Sequence, residues 1–84
     1  MELTKEFRDI PLWVAKDYIR VLPESLETAQ GFSGPGWSIE LTALPPVTLG
    51  ELTFRRMRFQ LSGKRESVEA VWRQLEHKFY RGGA

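Results

Sequence analysis

Five basic residues, Arg55, Arg56, Arg58, Lys64 and Arg65, fall within eleven consecutive positions. Guanidinium and ammonium groups gathered in this way neutralise phosphates, and that neutralisation supplies most of the affinity in non-specific nucleic-acid binding. The cluster also marks a change in charge along the chain. Residues 1–51 carry a net charge of −4, and residues 52–84 carry +5. Either the basic half meets an anionic partner or the two halves neutralise each other. Cross-strand pairing of the arginines with Glu2, Glu6 and Glu40 would achieve the second, at roughly 0.2–1 kcal/mol per pair, and it is the preferred reading.

Other residues suggest weaker chemistry. Trp13 stands among Lys16, Asp17 and Arg20, and an aromatic ringed by charge has the character of an interface anchor. With Ile19 it makes Trp13, Lys16, Ile19 and Arg20 a candidate interface. The run Gly31-Phe32-Ser33-Gly34-Pro35-Gly36 lacks the Lys-Ser/Thr ending of a phosphate loop. Phe32, Ser33 and Trp37 remain a candidate ligand loop, though a plain turn is the better reading.

Catalysis finds little support. His77 is the only histidine, so no histidine pair exists to hold a metal, and its helical position predicts a solvated side chain. The serines lie in no nucleophile motif. Glu24 with Glu27 and Glu66 with Glu69 are spaced as helix-surface charges. No catalytic residue, metal or cofactor is expected, and an enzyme acting alone is the least supported class.

The 84 residues predict a single domain over 1–84 with a modest core. Absence of cysteine excludes disulfides, thiolate nucleophiles and cysteine-bound metal. Asparagine is absent too and arginine outnumbers lysine, a composition that fits a thermophile. The start has neither the basic nor the apolar region of a signal peptide, and no apolar run approaches membrane-spanning length. A cytoplasmic protein without membrane contact is expected.

The elements that must position these residues follow from periodicity. Residues 2–8 read as a first strand. Asp9 reads as an N-cap and Pro11 as an early helical residue, with the helix stopping before Pro23. Its apolar residues fill an arc of about 200°, wider than a typical surface stripe. Residues 23–36 read as a connection with a helical turn over 24–29. Trp37–Ala43 alternates as a strand that Pro45-Pro46 ends. Residues 52–61 form the arginine strand, with a β-bulge at Arg55–Arg56 bringing Leu52 and Phe54 onto the face of Met57, Phe59 and Leu61. Val68, Val71, Trp72, Leu75 and Phe79 mark a last helix over about 64–80.

This β-α-β-β-α order predicts an α+β two-layer sandwich. It is a ferredoxin-like plait lacking its last strand, with three largely antiparallel strands and two helices on one face. The arginine strand would lie centrally. The tail Arg81-Gly82-Gly83-Ala84 resembles the diglycine ends of ubiquitin-like and sulfur-carrier proteins, in which it follows a strand of a β-grasp fold. Here it follows a helix and Ala84 lies beyond the glycines, so a helix C-cap and frayed end is the preferred reading.

Three functions are weighed. The first is a non-enzymatic interaction module that self-associates as a homodimer or larger homo-oligomer. The second is nucleic-acid binding through the arginine strand. The third is an accessory subunit or small-ligand sensor using the Gly31–Gly36 loop.

Overall fold

The structure is a computed structural model that describes residues 1–81. The order is β1 (Glu2–Arg8), α1 (Leu12–Arg20), β2 (Leu26–Glu27), β3 (Gly31–Gly34), β4 (Trp37–Leu49), β5 (Leu52–Gly63) and α2 (Arg65–Arg81). The strands form one five-stranded sheet in the order β1-β5-β4-β3-β2, antiparallel at every pairing. The three-stranded ferredoxin-like plait is therefore incorrect. Residues 23–36 hold two strands rather than a connection with a helical turn, and β4 runs straight through Pro45-Pro46.

The physical reason lies in the turns. Pro35-Gly36 forms a two-residue link between β3 and β4. Gly36 has φ +75, a conformation open to glycine at little cost, and Lys64 N–H donates to its carbonyl at 2.8 Å. A side chain at Gly63 would drive its Cβ into the Gly36 carbonyl. The predicted bulge also falls on the other strand. Two residues of β4, Pro45 and Pro46, lie opposite Arg55 alone, between the Leu44–Arg56 and Val47–Phe54 pairs. Proline offers no N–H to a ladder, so a bulge is where a sheet tolerates it. As a result Phe54 joins the face of Arg56 and Arg58, not that of Phe59.

Both helices pack on the other face. Phe7, Ile39, Met57, Phe59 and Leu61 meet Ala15 and Ile19 of α1 and Val68, Val71, Leu75 and Phe79 of α2, all buried. Phe7 stacks on Phe79 with centroids 4.5 Å apart, and Phe59 meets both rings edge-on. Helix α1 starts later than expected. Pro11 is its N-cap, accepting from Val14 and Ala15 N–H. Asp9 instead turns the chain out of β1 at φ +61, and its N–H donates to the Arg55 carbonyl at 3.1 Å. The expected C-cap at Gly82-Gly83 lies outside the described residues.

The β4–β5 hairpin is longer than anything that covers it. Its strands of 13 and 12 residues extend about 40 Å, whereas the 17 residues of α2 extend about 25 Å. The far end, from Leu44 to Arg55, overhangs the core as an arm. Among the described residues, no helix is long and apolar enough to cross a membrane.

Candidate functional site

Alternation along the strands assigns each side chain to a face. On the helix-free face β1 places Glu2, Thr4, Glu6 and Arg8, β5 places Phe54, Arg56, Arg58, Gln60 and Ser62, and β4 places Ser38, Glu40, Thr42 and Leu44. The arginine strand thus lies between β1 and β4. Beyond the bulge, Val47 and Leu49 of β4 share this face with Leu52 and Phe54. The face divides into a polar floor of serine, threonine, glutamate and glutamine, a band of Arg8, Arg56 and Arg58, and an apolar strip on the arm. Leu49 and Leu52 are 58% and 63% exposed.

The band is partly fixed. The Arg56 guanidinium pairs with Glu6 at 2.8 Å and donates through Nε to the Pro45 carbonyl at 3.0 Å, anchoring the bulge. Glu6 also sits directly opposite Arg58 in the ladder. Among the described residues Arg8 and Arg58 have no ion pair within 4 Å.

The five residues of the expected anion site are not brought together. Arg56 and Arg58 share the open face, while Arg55 has the opposite parity. Lys64 and Arg65 lie beyond the other end of β5, about 20–25 Å along the strand from Arg58 and Arg56, and Arg65 pairs with Glu69 at 3.1 Å.

The expected interface on α1 also divides. Trp13 is 68% exposed, but Ile19 is wholly buried in the core. Lys16 and Arg20 turn to Glu27 of β2, at 3.6 and 3.1 Å, and Arg20 also pairs with Asp17 at 2.6 Å. The Arg20 hydrogen bond, reinforced by the charges of Arg20 and Lys16, holds the Glu27 carboxyl below its ordinary pKa of 4.5, against a smaller opposing effect of desolvation. These cations fasten the β2–β3 hairpin to the helix. In the expected ligand loop, Phe32 and Trp37 are core residues, and only Ser33 reaches the open face, beside Ser38. That run is a strand, β3, followed by the Pro35-Gly36 turn. His77 is exposed. No group of three or more His, Asp or Glu among the described residues is placed to hold a metal.

The arm strip and the place of the half-buried Phe54 on the open face escaped sequence reasoning. The signal was present in Pro45-Pro46, which can be read as a bulge within a strand as well as the end of one.

The described residues form a small α+β unit with a helix-free sheet face and an overhanging apolar arm. The chain is a member of the archaeal MoaD-like protein family, whose model matches residues 3–84. No curated protein matches it. MoaD-like proteins are small β-grasp proteins of the ubiquitin-like, sulfur-carrier type that interact with partner proteins. Neither this membership nor the burial of Ile19 supports the homodimer expected through the first helix. The tail after α2 is the one part of the sequence that pointed to this family, although here a helix rather than a strand precedes it.

Proposed function

We propose that this chain works in the cytoplasm as a protein-docking module of the sulfur-carrier type, without catalysing a reaction on its own. The observation that carries this reading is the apolar strip of Leu44, Val47, Leu49, Leu52 and Phe54. It lies on the same open face as Arg8, Arg56 and Arg58. An apolar centre bordered by arginine has the composition of protein interfaces. The complementary partner surface is apolar with an acidic margin.

Site-specific photo-crosslinking in cells tests this. A crosslinker at Val47 or Thr42 should yield one defined protein adduct, and one at Gln74, on the helical side, should yield none. Phe54→Ser combined with Arg58→Gln should reduce the adduct by roughly tenfold, with circular dichroism confirming that the variant remains folded. Equal adducts from both sides, or nucleic acid as the crosslinked species, would reject the reading.

A further inference from the structure

Strand β1 is an outer strand of the sheet, so one side of its backbone has no ladder partner. Its hydrogen-bonding phase can be read from its start. Met1 and Gly63 exchange both backbone bonds, at 2.9 and 3.1 Å, and Asp9 N–H reaches Arg55. Antiparallel pairs alternate between bonded and non-bonded. The odd residues of β1 therefore bond to β5, and Glu2, Thr4, Glu6 and Arg8 direct their N–H and C=O groups away from the sheet.

The helix side of this edge is a trough between β1 and α2. One socket of about 250 Å³ lies at its start, with Met1, Leu3, Val68 and Trp72 as its apolar lining and Glu69, Arg73 and Glu76 of α2 as its charged lining. A second of about 630 Å³ lies at its end, where Phe7, Phe79 and Tyr80 meet Ile10, Val14 and Tyr18 of the following link and α1, with Glu6, Arg8 and Asp9 also in its lining. Between them Lys5 extends over the Trp72 ring, Nζ 5.7 Å from its centroid. Leu3 and Phe7, four strand residues apart, set the sockets about 13 Å from each other.

We propose that this edge is a peptide-binding site that takes an extended segment of a partner protein as a sixth strand. The segment carries two apolar side chains four residues apart with an acidic residue midway. Its apolar side chains fill the sockets beside Leu3 and Phe7, and its carboxylate meets Lys5. Its intervening residues exchange backbone bonds with Thr4 and Glu6. Main-chain bonds give such strand addition its affinity and the alternate side chains its selectivity. Lys5 also explains why the occupant is not a second copy of this strand. An inward-facing charge on an edge opposes self-pairing, and two β1 strands paired about their middles would set Lys5 against Lys5. This site is distinct from the arm and open face, and either proposal stands if the other fails.

The probes are fluorescein-labelled synthetic peptides of the pattern apolar-Thr-Asp-Thr-apolar, with Ile, Leu or Phe at the apolar places. Anisotropy titration should show saturable binding by at least one of them. Amide NMR shifts should concentrate on Glu2, Thr4, Glu6 and Arg8. Proline in place of either threonine removes a donor to the edge and should weaken binding at least roughly tenfold, a test that leaves the protein unchanged. Lys5→Glu should weaken binding of the Asp peptide about tenfold, and replacing Asp by Lys in the peptide should restore it. No saturable binding by any peptide, proline without effect, or shifts centred on Thr42 and Arg58 would each overturn the proposal.

Discussion

The two ends of the β4–β5 hairpin are built from the same strands and do opposite things. At the base, Trp37, Ile39, Phe59 and Leu61 are buried under the helices. At the arm, Leu49 and Leu52 stand exposed with no helix above them. Apolar residues at the base contribute to stability because folding removes them from water. On the arm they remain in water after folding and contribute little until another surface covers them. The contrast separates a part that holds the fold from a part that is available for binding.

The strongest way to break this contrast is to truncate one residue at each end. Phe59→Ala should cost about 3–5 kcal/mol in urea denaturation, whereas Leu52→Ser should stay within about 0.5 kcal/mol. A comparable loss at Leu52 would mean that the arm is part of the core. The joint between the two ends is the next test. Arg56→Met removes both the Glu6 pair and the bond to the Pro45 carbonyl, and should cost about 1 kcal/mol. Hydrogen exchange should then rise at Val47 and Phe54 and not at Ile39.

A smaller effect sharpens the comparison from outside the hairpin. Glu24 is exposed and holds φ +60, which strains a residue with a Cβ. Glu24→Gly should raise stability by roughly 0.5–1 kcal/mol, measured by the denaturation midpoint. The smallest effect concerns Glu27. Its folded pKa is depressed, so its contribution is present above its ordinary 4.5 and is lost as pH falls through the lower folded value. Glu27→Gln should flatten the acid limb of the stability profile slightly, and high salt should shrink the difference, as it does for exposed charges.

Helix α2 is legible almost residue by residue because it carries one uninterrupted period, and β1 is legible although Lys5 interrupts its apolar side between Leu3 and Phe7. The place of the arginine strand between the first strand and the Trp37 strand is legible from the plait order, but the expected charge matching is met only by Glu6, since Glu2 and Glu40 sit opposite Ser62 and Gln60. The middle of the chain is not legible. Two strands of two and four residues are too short to show alternation, and Gly31-Phe32-Ser33-Gly34 carries turn residues because its close neighbours leave no room for side chains at the two glycines. Pro45-Pro46 reads as an end because a proline's missing donor is the same fact in a bulge and at a strand's end. Ile19 looks like an interface residue because helix periodicity reports which residues are apolar but not what covers them. The β1 edge is a property of strand order, and the expected three-stranded order already leaves the first strand outermost, where the five-stranded sheet keeps it.

The pairing of β1 with β5 joins residues as far apart as Met1 and Gly63. During synthesis at about 5–20 residues per second, β1 leaves the ribosome several seconds before its partner strand exists. Throughout that interval both of its backbone edges are unoccupied, and the fold cannot close until nearly three quarters of the chain has emerged. Closing so long a loop is slow, so the nascent chain depends on the solubility of Glu2, Lys5, Glu6 and Arg8 to keep its first strand apart from other chains until β5 arrives.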